Sequence, residues 1–172
     1  IQSGSYRSDE IISGSSAAVE NQEVDIIDDK RISQEDKFQE SKGTVDLANS
    51  ELIVSIGRGI EKEENIPLAE ELAQAIGADI GSSRPVVDYG WVPHDRQIGS
   101  SGHIVSPKLY LAVGISGAVQ HQVGMKGSEA IIAINKDKNA PIFEIADIGI
   151  VGDLFEIIPK LTTAIKEHKQ KT

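Results

Sequence analysis

Residues 109–121 read LYLAVGISGAVQH, a five-residue apolar run followed by a glycine, a group of small residues, a glutamine and a histidine. An uninterrupted apolar run that stops at a glycine is typical of a strand buried on both faces of a parallel sheet. The small residues at 116–118 permit close approach of a ligand, and ligands of open α/β sheets bind outside the carboxyl ends of the strands. The stretch therefore predicts both a fold class and the edge of the sheet where a ligand site lies.

The same strand pattern recurs along the chain after Asp46. Residues 52–56 and 130–134 are continuous aliphatic runs, and shorter or weaker runs occupy 78–81 and 146–151. Strands that alternate with helical segments indicate a parallel sheet with right-handed crossovers. We predict an α/β, Rossmann-like parallel-sheet domain with helices on both faces.

Helix signals lie between these strands. Asn65 and the proline two residues later predict a helix start, and Gly77 predicts its end. Ser83 opens a second, short helix, and Asp153 caps a final one with an apolar stripe. Pro159 falls beyond the first turn of this last helix and predicts a kink or a new helix start.

Residues 1–45 differ from the rest of the chain. They are polar, with short apolar groups at 11–12 and 24–27 that suggest strands and a charged linker over 28–43. Such a segment buries little by itself. We expect an extended N-terminal segment, either a flexible tail or edge strands of a neighbouring domain, ahead of a domain over 46–172.

Composition excludes several classes of protein. The chain has no cysteine and a net charge of -10. Disulfide scaffolds and thiolate metal sites are therefore excluded, and nucleic-acid binding, which needs a basic face, is disfavoured. No apolar run approaches the roughly 20 residues of a membrane span. No metal cluster, Ser-His-Asp arrangement or paired-carboxylate motif stands out, so we predict neither a metal site nor catalytic residues.

Polar clusters follow the predicted strands. They are Gly-Arg-Gly at 57–59, GSSRP at 81–85, QIGSSG at 97–102, and the single residues Asn135 and Asp153. Glycines permit tight turns, and an arginine between them suits a diphosphate or an electron-rich ring. Taken singly, each cluster fits an ordinary turn or helix cap about as well.

His121 is the most suggestive of these polar residues. A lone histidine is more often a packed core residue, but this one follows the glycine turn at a strand end. Its imidazole can donate a hydrogen bond to a carbonyl of a bound ring and, if protonated, stabilise negative charge there.

These clusters, taken together and in this order, resemble a known family. The match runs from about Asp46 to the end of the chain and is most specific at GISGAVQH, followed 14 residues later by Asn135. The segments that carry it are 57–59, 81–88, 97–102, 107–110, 114–121, 133–137, 140–143 and 146–154. They are similar to the C-terminal domain of the electron-transfer flavoprotein alpha subunit.

The resemblance implies an extended FAD with Arg58 beside the isoalloxazine and the Ser101 hydroxyl toward a flavin ring nitrogen. It places His121 near a pyrimidine carbonyl and Asn135, with 153–154, at the adenosine end. The full set of implied cofactor-binding residues is Arg58, Ser83, Arg84, Gln97, Ile98, Gly99, Ser100, Ser101, Ser116, Gly117, Ala118, Val119, Gln120, His121, Asn135, Asp153 and Leu154.

The resemblance also implies a function and partners. It implies an electron carrier, without substrate chemistry of its own, that passes electrons between flavoprotein dehydrogenases and downstream acceptors. The family partner is a beta subunit, and residues 1–45 would be the tail and linker of the alpha subunit's first domain. We expect a cytoplasmic, bacterial-type location in preference to the mitochondrial matrix.

Two other functions stay open on the residues alone. One is a nicotinamide-dependent dehydrogenase, which favours a complete G-x-G-x-x-G and an acid about 20 residues on. Lys62 stands where the third glycine belongs, although Asp79 satisfies the second requirement. The other is a non-redox nucleotide-binding module that uses the same loops.

Overall fold

A computed structural model describes residues 14, 18, 20–23 and 45–171 of the chain. The short strands expected at 11–12 and 24–27 and the linker at 28–43 lie outside these residues. The expected extended N-terminal segment and the domain boundary near residue 46 therefore stay predictions.

The described part of the chain forms a sheet of five parallel strands. The strands are β1 (Leu52–Ile56), β2 (Asp79–Ser82), β3 (Leu109–Val113), β4 (Ile131–Asn135) and β5 (Ile148–Val151). Their order across the sheet is β2-β1-β3-β4-β5, and every neighbouring pair is parallel. The predicted α/β parallel-sheet class is confirmed, with the doubly wound strand order 2-1-3-4-5.

Apolar residues cover both faces of the sheet because alternate residues of each strand point to opposite sides. In β3, Leu111 and Val113 pack in one cluster with Val54 of β1. Tyr110 and Ala112 pack in the other cluster. This two-sided burial explains why the central strands appear in the sequence as continuous apolar runs.

The described residues form four α-helices: α1 (Ile66–Ile76), α2 (Arg84–Asp88), α3 (Val119–Met125) and α4 (Leu154–Lys171). Buried residues of α1, α2 and α4 join the first cluster, whereas Met125 of α3 joins the second. The predicted helices on both faces are confirmed. None of the helices among the described residues is long and apolar enough to cross a membrane.

The helix ends agree with the sequence at two positions and differ at a third. Gly77 ends α1 in the left-handed conformation, with φ 83°. The Asp153 carboxylate accepts a hydrogen bond from the Phe155 amide at 2.8 Å and caps α4. Asn65 was expected to cap α1, but its side-chain amide instead donates to the Ile60 carbonyl at 2.9 Å.

Of the two alternatives predicted at Pro159, the new helix start is wrong, because α4 continues through this residue, whereas the kink stays a prediction. A proline inside a helix removes one backbone donor. Ile158 and Leu154, on the same helix, are almost fully buried in the first cluster. Burial of this apolar stripe outweighs the loss of one hydrogen bond on the exposed side of the helix.

We expect Leu72→Ala in α1 to lower the free energy of unfolding by about 2–5 kcal/mol, because a fully buried leucine leaves a cavity when it is truncated. Urea unfolding followed by circular dichroism measures the change. Gln74→Ala, at an exposed position of the same helix, is the matched control and should stay within about 0.5 kcal/mol of the parent. Equal losses in both variants would contradict the packing described here.

Candidate functional site

The carboxyl ends of β2, β1, β3 and β4 open into one cavity of about 750 Å³. Four of its wall segments follow these strands directly, and the fifth is the loop that contains residues 98–101. The lining residues are Arg58, Gly59, Glu61, Ser83, Arg84, Pro85, Ile98, Gly99, Ser100, Ser101, Gly114, Ile115, Ser116, Gly117, Ala118, Gln120, His121, Asn135, Lys136, Asp137 and Ala140.

The turns after β1 and β3 touch at the point where the strand order reverses. The Gly59 amide donates to the Gly114 carbonyl at 3.0 Å. A β-carbon added to Gly57 would lie 2.3 Å from that same carbonyl oxygen. Gly114 has a φ of +64°, which a side chain rarely tolerates. Glycine at these positions is therefore what brings the two turns together below the cavity.

All but four of the predicted site residues line this cavity. The exceptions are Gln97, Val119, Asp153 and Leu154. Val119 is 71% exposed to solvent, and Leu154 is buried in the apolar core. Asp153 uses its carboxylate to cap α4, and Gln97 lies behind the loop that forms one wall. The roles predicted for the lining residues in cofactor binding stay predictions.

Several lining residues were absent from the predicted set. They are Gly59, Glu61, Pro85, Gly114, Ile115, Lys136, Asp137 and Ala140. Most are neighbours of predicted residues, and the positions of Lys136 and Asp137 directly after β4 are a signal of the same kind in the sequence. Glu61 gives no such signal, because it reaches the cavity through an unusual backbone conformation with φ 69°.

Three cations contribute to the cavity walls, and they differ in their partners. Arg84 lies 3.3 Å from the Asp88 carboxylate, and Lys136 lies 3.3 Å from the Glu61 carboxylate. The Arg58 guanidinium has no hydrogen-bond or ion-pair partner among the residues that the structure describes. An exposed, unpaired guanidinium at a cavity wall favours an anionic or electron-rich ligand.

The loop of residues 97–103 closes on itself beside the cavity. The His103 amide donates to the Gln97 carbonyl at 2.7 Å, and the Gly99 amide donates to the His103 carbonyl at 3.1 Å. Within the loop, the Gln97 side-chain amide donates to the backbone carbonyl of Ser101 at 2.9 Å and to its hydroxyl at 3.0 Å. The loop is thus a fixed wall whose Ser101 hydroxyl lies at the cavity.

His121 is held on both sides by the protein. Its Nδ1 lies 3.1 Å from the Ile98 carbonyl, and its Nε2 lies 2.9 Å from the Tyr110 hydroxyl. A carbonyl oxygen only accepts, so Nδ1 carries the proton and Tyr110 donates to Nε2. Burial lowers the pKa of His121 to about 4, although the hydrogen bond to Ile98 opposes the decrease. The imidazole is therefore neutral at pH 7.

This geometry changes the interpretation of His121. The sequence suggested that its imidazole donates to a bound ring, but its single N–H is used on the Ile98 carbonyl in this conformation. The side chain instead joins α3 to the loop of residues 97–103 and to β3. Burial has the opposite effect on the Tyr110 hydroxyl: it raises the pKa of this group and so keeps the donor protonated.

Asn135 also makes its hydrogen bonds within the protein. Its side-chain nitrogen donates to the Ile115 carbonyl at 2.9 Å, and its side-chain oxygen accepts from the Asp137 amide at 2.9 Å. The Asn135 side chain therefore joins the turn after β3 to the turn after β4. Asp147, which precedes β5, accepts from the Ile131 amide at 2.7 Å, at the opposite edge of the sheet.

No group of histidine, aspartate or glutamate side chains suited to a metal occurs among the described residues. The one buried histidine is neutral and has both nitrogens engaged, which makes it a poor general base. The arrangement is that of a binding site with a cationic wall, close backbone approaches and a few fixed donors.

Comparison with known proteins identifies relatives of this chain. A family model described as "Electron transfer flavoprotein FAD-binding domain" matches residues 46–126. The chain is 56% identical over 134 residues to the acryloyl-CoA reductase electron transfer subunit beta of Anaerotignum propionicum, a match of 76% of this chain and 36% of the relative. It is 54% identical over 124 residues to the mitochondrial electron transfer flavoprotein subunit alpha of Dictyostelium discoideum, covering 72% of this chain and 35% of the relative.

Protein FixB of Salmonella typhimurium is 56% identical over 123 residues, which cover 71% of this chain and 39% of that protein. The chain thus spans little more than a third of the length of these relatives. The resemblance given by the sequence is confirmed.

Because the pKa of His121 is lowered in the folded chain, we expect the free energy of unfolding to decrease as the pH falls. The unfolded chain takes up the proton near pH 6.5 and the folded chain only near pH 4, so the stabilisation is complete above about pH 6.5 and is lost as pH falls towards 4. His121→Asn should reduce the loss of unfolding free energy between about pH 7 and pH 4.5 by about 2 kcal/mol.

Urea unfolding at the two pH values measures this difference, and groups that titrate in both proteins cancel. The exposed His94, replaced by Asn, is the matched control for the substitution itself and should unfold within about 0.5 kcal/mol of the parent at pH 7. The same acid loss in the parent and in His121→Asn would show that His121 is not held neutral.

Proposed function

We propose that the described domain binds FAD and serves as the cofactor-binding part of an electron carrier. The premise is that residues 46–126 of this chain belong to the electron transfer flavoprotein FAD-binding domain family. The observation that carries the proposal is a single cavity across the carboxyl ends of four adjacent parallel strands. Three spacings between strands amount to about 14 Å, a width that suits an extended dinucleotide better than a single sugar or a small acid.

The residues of the cavity fit such a cofactor. Arg58 offers a positive charge that no described residue compensates, and such a charge suits an electron-rich ring or a diphosphate. Ser116, Gly117 and Ala118 have small side chains or none, so backbone amides lie close to whatever occupies the cavity. Ser83 is buried and lies at the start of α2, but its hydroxyl makes no capping bond there and is available to a ligand.

FAD, when bound, supplies the oxidation and reduction chemistry. The chain's own residues bind and orient it: Arg58 places a positive charge beside it, and the loop of residues 97–103 offers the Ser101 hydroxyl. His121 contributes indirectly, since it fixes the position of this loop through the Ile98 carbonyl. Positive charge and donors near a flavin stabilise its reduced form and raise its reduction potential.

Partners and location follow from the same proposal. We infer that the chain works with a beta subunit and passes electrons between flavoprotein dehydrogenases and downstream acceptors. The relatives include proteins named as electron transfer subunits in bacteria and in mitochondria. A cytoplasmic location stays our prediction.

Two structural features disfavour a nicotinamide-dependent dehydrogenase. Residues 58–60 form a short 3-10 helix after β1, instead of the helix start that a dinucleotide fingerprint opens. Asp79, the acid at the expected spacing, is the first residue of β2 and accepts from the Ser50 hydroxyl at 2.6 Å. It therefore lies at the amino edge of the sheet, away from the cavity.

We expect the purified chain to be yellow and to carry about one FAD, measured by flavin absorbance after denaturation. Protein that stays colourless after incubation with FAD would contradict the proposal, as would binding of a nicotinamide cofactor in its place.

Arg58→Ala should weaken FAD binding about tenfold or more, since a hydrogen bond to a charged group contributes about 1.5–3 kcal/mol. It should also lower the flavin reduction potential. Titration with FAD fluorescence and spectroelectrochemistry measure the two effects. Lys62→Ala is the matched control, because Lys62 is an exposed cation on the same segment that does not line the cavity. Equal effects of the two substitutions would mean that only net charge matters.

A further inference from the structure

We propose that Gln97 is a positioning residue that orients the Ser101 hydroxyl so that its proton points into the cavity. Gln97 is only 3% exposed and does not line the cavity itself. It acts on the cavity through Ser101, which does line it. The role in cofactor binding rests on the proposed function, whereas the geometry within the loop does not.

The orientation of the Gln97 amide is determined by its surroundings. Its nitrogen lies 2.9 Å from the backbone carbonyl of Ser101. A carbonyl oxygen cannot donate, so the group that faces it must be the NH₂ and not the amide oxygen. The same NH₂ group also donates to the Ser101 hydroxyl oxygen, 3.0 Å away.

The direction of the Ser101 proton follows from this bond. An amide nitrogen donates and has no acceptor capacity, so the Ser101 oxygen must accept from Gln97. The hydroxyl proton of Ser101 is not used in this contact and stays available to another acceptor. Because Ser101 is a lining residue, a hydrogen-bond acceptor of a ligand in the cavity is the partner that the geometry offers.

The loop makes this arrangement rigid. The Gly102 amide donates to the Gly99 carbonyl at 3.1 Å, and a β-carbon on Gly102 would lie 2.3 Å from the Gln97 carbonyl oxygen. Serine, unlike a β-branched residue, rotates readily about its first side-chain torsion. The contact with Gln97 selects one of its rotamers, which lowers the entropic cost of offering the hydroxyl to a ligand.

A double-mutant cycle tests the proposal with the full chain and FAD as the probe. Gln97→Glu has nearly the same shape but turns the donor into an acceptor, so the Ser101 proton is drawn away from the cavity. The cycle compares the fold-change in the FAD dissociation constant that Gln97→Glu causes in the parent and in the Ser101→Ala background. The charge added by glutamate acts in both backgrounds and cancels in the comparison.

We expect the weakening by Gln97→Glu to be about fivefold larger in the parent than in the Ser101→Ala background, the worth of about one hydrogen bond. Equal weakening in both backgrounds would overturn the proposal, because Gln97 would then serve only the backbone of the loop. If Gln97→Glu does not fold by circular dichroism, Gln97→Met replaces it in the same cycle, and a coupling below about twofold overturns the proposal.

A failure of the Gln97 proposal can be distinguished from a failure of the proposed function. If the parent chain binds no FAD, the proposed function is wrong, and the double-mutant cycle cannot be measured. The loop geometry is then tested in the chain without FAD, by hydrogen exchange of the Gln97 side-chain NH₂. Slow exchange of both protons supports the two donations, and fast exchange overturns them.

Discussion

The backbone contact between the turns after β1 and β3 is the constraint on which the site depends. The order of the sheet reverses between these two strands, so the chain leaves them in opposite directions and opens a crevice above them. The amides of Gly57 and Gly59 donate to the carbonyls of Val113 and Gly114 at 2.8 and 3.0 Å. This contact joins the turns below the cavity, and a β-carbon at Gly57 would push them apart.

The remaining walls depend on buried polar side chains that make their hydrogen bonds within the protein. Tyr110 on β3 holds the Nε2 of His121, and His121 in turn holds the Ile98 carbonyl. Gln97 fixes the far end of the same loop. Because these groups are buried, each unmade hydrogen bond would cost the full desolvation of a polar group, which makes the arrangement specific. The loop that faces a ligand is thus held in position by buried hydrogen bonds.

The sequence predicts the sheet well because burial on both faces leaves a direct signal. The bounds of β1 and β3 follow from apolar runs that end in glycine, and most lining residues follow from their positions after these strands. The hydrogen-bond partners of the buried polar side chains cannot be predicted in this way. His121 bonds to residues 11 and 23 positions away, whose closeness depends on the complete fold. Local patterns also mislead where a second partner competes, as at Asn65, which bonds to Ile60 in place of its own helix.

Net charge gives little information about the ligand of this site. The chain carries a net charge of -10, which taken alone disfavours an anionic ligand. Exposed charges more than about 8–10 Å apart are largely screened at physiological salt, so distant carboxylates contribute little at the cavity. The nearby cations decide the local field, and two of the three are compensated by Asp88 and Glu61. Arg58 is the cation whose charge is not offset among the described residues, and it lies in the turn that the glycine contact holds in place. The same short segment after β1 therefore supplies both the shape of the crevice and its unpaired positive charge.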